Sequence, residues 1–261
     1  MGVAAFVGWQ CSAILLPLLQ QGLSDPEEFV IARCINTMAS LTSLQLLQKV
    51  ALYELLKETT AYLVHPNLWI RQATASFVSA TAQILDGVDV VVKLGAILKP
   101  FMKHPVVQMD QAVLILANVE SPIPRIILDG VVKTQPEILS EFLNILEERQ
   151  TARRSMAKVN SSQIQVLYAE IPQHVKPLFR RLASDGMTST VEDKLLFMKE
   201  NLVKISKHRC LSRQENPGSI ELLDLGQLVR IPRKAVHLDY DDKKVSVATE
   251  ATPDDDIAKV R

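Results

Sequence analysis

The segment His65-Pro-Asn-Leu-Trp-Ile-Arg71 reads as the start of a helix, and two other segments share its form. Ser24-Asp-Pro-Glu-Glu-Phe-Val-Ile31 precedes it and His104-Pro-Val-Val-Gln-Met-Asp110 follows it. In each, a polar or histidine residue comes before proline, and apolar residues follow at helical spacing. Proline is tolerated in a first helical turn, where its missing N–H would have no intrahelical partner anyway. Asp25, His65 and His104 occupy the matching position before their prolines and read as turn or capping residues.

Pro26, Pro66 and Pro105 stand 40 and 39 residues apart, near the lower end of the roughly 40–47-residue period of HEAT and armadillo units. The runs after them carry apolar stripes. These are Phe29, Val30, Cys34, Ile35 and Met38 in the first copy, and Leu68, Trp69, Ile70, Ala73, Phe77 and Val78 in the second. The third has Val106, Val107, Met109, Ala112, Val113 and Leu116. Ala73 and Ala112 lie seven residues after their prolines, where a small side chain lets helices approach; Cys34, eight after Pro26, is the equivalent in the first copy. Trp69 is expected to be buried between repeats. Arg71 and Asp110 each stand five residues after a proline, so stacking would place them side by side as an ion pair of about 0–1 kcal/mol. The alternative is two independently solvated charges.

Partner helices are expected over 9–20, 46–64 and 90–102, with Pro17 and Pro100 bending two of them. No single pair can bury both its faces, so neighbours must stack. The expected fold is all-α: a solenoid of HEAT/armadillo-like helical pairs over 1–207, clear over 1–120 and degenerate over 121–207. About five pairs are expected in all. After Pro124 the chain predicts a short helix over 125–133, a strong one from Pro136 to about Gln150, and two more over 162–184 and 189–207. Asp185-Gly-Met-Thr-Ser between these last two supplies a C-cap glycine. Arg149, Arg153, Arg154 and Lys158 form a basic cluster that reads as a solvated helix end rather than a phosphate site. Residues 208–261, with Pro217-Gly-Ser and Thr252-Pro-Asp-Asp-Asp, read as a mostly disordered tail with one short docking helix over 220–229.

Composition narrows the function classes. Glycine numbers only 9 in 261 residues, about half the usual roughly 7%, which disfavours folds built on tight hairpins and phosphate-cradling loops. Twenty-nine basic against 29 acidic residues leave no net charge to attract nucleic acid or anionic membrane. Cys11, Cys34 and Cys210 are odd in number and not in CxxC spacing, which argues for a reducing compartment. The five histidines form no HxxxH pair, so no metal site is expected. The N-terminus lacks the basic region of a signal peptide, has Phe6 where a myristoylation signal wants Ser or Thr, and no apolar run is long enough to span a bilayer.

No GxGxxG, GxxxxGK[ST], HRD, DFG, GxSxG or HExxH occurs, so neither a cofactor nor catalysis by this segment is expected. Glu27-Glu28 and Glu147-Glu148 are adjacent on helices and point apart.

The run Trp9-Gln-Cys-Ser-Ala-Ile-Leu-Leu-Pro-Leu-Leu-Gln-Gln-Gly-Leu-Ser-Asp-Pro-Glu-Glu-Phe-Val-Ile31 closely resembles the central helical-repeat region of regulatory subunit 4 of phosphoinositide 3-kinase, the vacuolar protein sorting protein fifteen family. His65–Arg71 is a second match, and Asp185-Gly-Met-Thr-Ser-Thr-Val-Glu-Asp-Lys-Leu-Leu196 a weaker one. The resemblance covers roughly the first 200 residues. It implies a scaffold in the class III phosphatidylinositol 3-kinase complex, serving autophagy and endosomal or vacuolar protein sorting. The implied partners are the lipid kinase catalytic subunit, coiled-coil subunits and small GTPases. The implied location is cytoplasmic, peripheral to endosomal and autophagic membranes. The family also carries an N-terminal serine/threonine-kinase-like domain and a C-terminal WD-repeat propeller, and this chain reads as a fragment of that architecture, lacking both. The alternative is a segment of a protein kinase whose ATP-binding domain lies outside this chain.

Overall fold

Helix starts at the prolines organise the molecule, though each begins later than expected. In this computed structural model, residues 12–105, 108–156 and 171–215 are described, with Phe6 and Gly8. The chain divides into two units, Met1–Glu215 and Asn216–Arg261, and every described residue lies in the first. Expectations for Trp9, Cys11, Val106, Val107, Lys158, 162–170, 216–261 and the 220–229 helix fall outside the described residues.

Eleven helical runs follow in order. The first four are α1 (Ser12–Leu23), α2 (Glu28–Ser43), α3 (Lys49–Thr59, continued by a 3-10 turn Thr60–Val64) and α4 (Leu68–Ile84). The next, α5, is composite: Gly87–Asp89, a π turn Val90–Leu94, Gly95–Leu98 and a 3-10 turn Lys99–Phe101. Then come α6 (Ala112–Asn118), α7 (Arg125–Val132), α8 (Pro136–Met156), α9 (Lys176–Ser184), α10 (Ser189–Phe197) and α11 (Lys199–Glu215). No strand occurs among the described residues, and the fold is an all-α solenoid.

Pro26 and Pro66 sit two residues before the first helical residue, not within the first turn. Asp25 and His65 then do the same job: Oδ1 of Asp25 accepts the Glu27 N–H at 2.8 Å, and Nδ1 of His65 accepts the Asn67 N–H at 3.0 Å. Each side chain bridges its proline and turns the chain into the helix. Asn67 caps α4 by accepting the Trp69 N–H at 2.9 Å. The buried side of α4 is Ile70, Ala73, Thr74, Phe77 and Thr81. Thr74 and Thr81 satisfy their buried hydroxyls by donating to the carbonyls four residues back.

Helices α2 and α4 lie side by side in one layer, with α6 against the far side of α4. The other layer holds α1 and α3, joined by Gln20 to Glu58 at 2.7 Å and by the Gln48 N–H to Ser12 Oγ at 3.2 Å. The layers approach closely at Gly22, where a Cβ would stand 2.9 Å from Cys34 Sγ. Pro17 lies inside α1, whereas Pro100 falls in the 3-10 turn that ends α5.

The third copy departs from the other two. Its helix starts at Ala112, seven residues after Pro105, and runs opposite to α4. Asp110 O, just before α6, accepts from Ser79 and Gln83 near the end of α4, while the Ile123 N–H, just after α6, reaches Val64 O before its start. Met102, just after α5, pairs with Val119 in an antiparallel bridge.

The later helices do not continue the stack into further pairs; they fold back on it. α8 packs against α10 and α11, α11 reaches α7, and α10 touches the 3-10 turn after α3. Asn201 donates to Glu58 O at 3.1 Å, and the Phe101 and Phe197 rings lie 4.9 Å apart. One continuous apolar core results, from Leu19 to Ile205. Helix α11 runs to Glu215, seven residues beyond the expected start of the tail at 208.

Candidate functional site

The starts of α2, α4 and α7 meet around a cleft of about 360 Å³, where the two strongest sequence matches come together. Its floor is a polar staple. Glu28, in the first turn of α2, accepts from Asn67 Nδ2 at 2.6 Å and from Arg125 at 2.6 Å, and Arg125 reaches on to Asp129 at 3.1 Å. His65 is buried beneath it, with Nε2 3.9 Å from Glu28.

Burial pushes the His65 imidazole down to about 4, against the pull of the Glu28 carboxylate. His65 is therefore neutral near pH 7, and its contact with Glu28 is not an ion pair there. Burial alone would raise Glu28, but hydrogen bonds from Arg125 and Asn67 prevail and hold its carboxyl below the usual range.

Two aromatic rings stand over this staple, exposed. Phe29 is 60% exposed and Trp69 66%, and both line the cleft. The expected burial of Trp69 is thus overturned. Along α4, Trp69 shares a face with Gln72 and Ser76, whereas Ile70 shares one with Ala73 and Phe77 and takes the core position. Phe29 and Val30 likewise lie on the solvent side of α2, where the Arg33 guanidinium stacks 5.2 Å from the Phe29 ring. Sequence carried a signal for this: Phe29 stands in register with Arg33 four positions on, and Trp69 with Gln72 and Ser76 three and seven positions on.

The remaining positions divide. Ala73 is buried between helices and Ala112 partly so. Arg71 does not pair with Asp110: its guanidinium donates to the carbonyls of His65 and Pro66, each at 2.7 Å. Because α6 runs against α4, equal offsets from two prolines fall at opposite ends of α4. Pro105 begins no helix, and the expected stripe residue Val113 is 75% exposed.

The basic cluster divides: Arg154 is exposed as expected, whereas Arg149 and Arg153 are paired. Arg149 and Arg153 of α8 close on the buried Glu192 of α10, Arg149 at 3.1 Å, and Arg153 also meets Asp193 at 2.7 Å. Lys194 is buried too, donating to Ser121 O at 2.8 Å and Ser121 Oγ at 2.9 Å. Nothing local marks Glu192 as their partner; the fold-back of α10 creates the pairing. Among the described residues no cluster of His, Cys, Asp or Glu is placed to hold a metal, and no helix is long and apolar enough to cross a membrane.

The described residues define an all-α helical-repeat protein with a polar node and exposed aromatic rings at its helix starts. The chain belongs to the PIK3R4-like, middle domain family, whose sequence model matches residues 1–132. It is similar to the probable serine/threonine-protein kinase vps15 of Dictyostelium discoideum, 37% identical over 90 residues, covering 34% of this chain and 5% of that protein. VPS15 of Komagataella pastoris is 33% identical over 96 residues, 37% of this chain and 7% of its own length. Serine/threonine-protein kinase vps15 of Schizosaccharomyces pombe is 28% identical over 86 residues, 33% and 5% respectively. The match therefore spans a small fraction of these relatives.

Proposed function

We propose that this chain is a non-catalytic scaffold segment that binds proteins through its helical surface within a class III phosphatidylinositol 3-kinase complex. On this reading it supports autophagy and endosomal or vacuolar sorting, and reaches those membranes peripherally through its partners. The observation that carries the proposal is the exposed pair Phe29 and Trp69 above a buried polar staple. Aromatic side chains held on a rigid base are the usual energetic anchors of protein interfaces. Membership of the PIK3R4-like, middle domain family supports the assignment to that complex. The lipid kinase catalytic subunit and coiled-coil subunits are the proposed direct partners, with small GTPases as further ones.

The relatives' names favour a second reading, in which the segment supports a serine/threonine kinase whose ATP-binding domain lies outside this chain. Affinity capture separates the two. The folded full chain is expected to retain the lipid kinase catalytic or coiled-coil subunit, and Phe29→Ala with Trp69→Ala to lower that retention at least about tenfold. Retention of neither subunit by the folded wild-type chain would overturn the scaffold reading.

A further inference from the structure

We propose that the groove between α5 and residues Met102–Pro105 and Met109 docks an amphipathic α-helix with acidic flanks, supplied by a protein partner. The reason begins with the third proline. After Pro26 and Pro66 a long helix follows, 16 and 17 residues respectively, and lies against its neighbour. After Pro105 only the 7-residue α6 forms, and it runs the opposite way along α4. Among the described residues, no helix that the repeat would supply covers the outer side of α5. Val88, Val91 and Val92, spaced as one helical face, are 74%, 72% and 62% exposed. The π turn Val90–Leu94 falls within this stretch, and such turns occur frequently at functional sites.

The groove has a volume of about 620 Å³. Val90, Val91 and Leu98 line it from α5, and Met102 and Met109 from the residues that follow it. Unbranched thioethers adapt to the shape of an incoming apolar face. Its rim is basic: Lys99, Lys103 and His104 are exposed there, and no carboxylate lines the groove. Asp89, nearby on α5, is held 2.9 Å from Lys93. The two lysine charges exceed the partial negative charge of about half a unit at the end of a helix. An apolar helical face with Asp or Glu beside it therefore matches this groove, and one flanked by Lys or Arg is rejected.

The test uses the full chain and two labelled helical peptides of about 18 residues, long enough for five turns. Both carry the same leucine face; one has Glu flanks and the other Lys flanks. Fluorescence anisotropy is expected to show the Glu-flanked peptide binding at least about tenfold more tightly. Val91→Asp is expected to weaken it by a similar factor, and Lys99→Glu with Lys103→Glu to invert the preference. Circular dichroism checks each fold, with Val91→Ser replacing Val91→Asp if the latter unfolds. The proposal is overturned if neither peptide binds, if both bind alike, or if these substitutions leave the affinities unchanged. A dimer abolished by Val91→Asp would assign the groove to a second copy instead, and vesicle binding abolished by it would assign the groove to lipid. Either result also overturns the proposal.

Discussion

Asn67 donates through Nδ2 to Glu28 Oε2 at 2.6 Å, so the residue that caps α4 also holds the first turn of α2. These residues are 39 apart in sequence, close to one repeat period. The repeat is therefore joined at its helix starts by polar groups as well as along its length by apolar packing. That double fixation positions Phe29, one residue beyond Glu28, and Trp69, two beyond Asn67, as a pair.

Trp69→Ala is expected to change stability by no more than about 0.5 kcal/mol, as for exposed sites generally. Ile70→Ala, one residue on and fully buried, is expected to cost about 2–5 kcal/mol. Urea unfolding of both variants checks the assignment; a larger loss for Trp69→Ala than for Ile70→Ala would place the helix face wrongly.

Acid should loosen the staple. His65 is held neutral by burial, with its folded value near 4 against an ordinary 6.5. A base whose folded value is depressed contributes fully above its unfolded value, and that contribution fades as pH falls from about 6.5 through about 4. The depressed Glu28 carboxyl acts in the same direction at lower pH. The His65 share is about 2–3 kcal/mol at neutral pH. Thermal melts between pH 7 and 4 should therefore fall more steeply for the wild type than for His65→Asn, which keeps a side-chain acceptor for the Asn67 N–H. Parallel pH profiles would remove His65 as the cause.

Glu192 is buried between two arginines. Glu192→Ala removes the buried carboxylate that Arg149 and Arg153 share, and the expected loss is about 3–5 kcal/mol. Arg153, partly exposed and also paired with Asp193, should tolerate Arg153→Ala better. Equal losses would mean that desolvation does not set the ranking.

The sequence made the first two units legible because their signals are local: proline, a side chain that bridges it, and an apolar stripe within one helix. His65 and Asp25, chemically unlike, were placed in matching roles by spacing alone. What it could not give was direction and return. Val113 and Leu116 read as the stripe of a third copy, yet α6 is reversed, and with it the Arg71–Asp110 proximity disappears. Arg149 and Arg153 looked solvated because their partner lies about 40 residues on, beyond a connection that sequence does not orient. The placement of Phe29 and Trp69 was within reach, since a 100° step per residue already sets them apart from Ile31 and Ile70. Counting them into the stripe hid the candidate site in the core.

The hydrogen bond from Asn201 to the carbonyl of Glu58 spans 143 residues. An open array of repeats unzips from its ends, each unit held only by its neighbours. Here the ends are fastened to the middle, because Lys194 grips Ser121 and Ser206 grips Thr134 across 73 and 72 residues. Closing such long loops raises contact order and slows folding relative to a purely local helical array. In exchange, loss of α10 and α11 would uncover α3 and α7 together, so the folded unit should unfold in a single cooperative step.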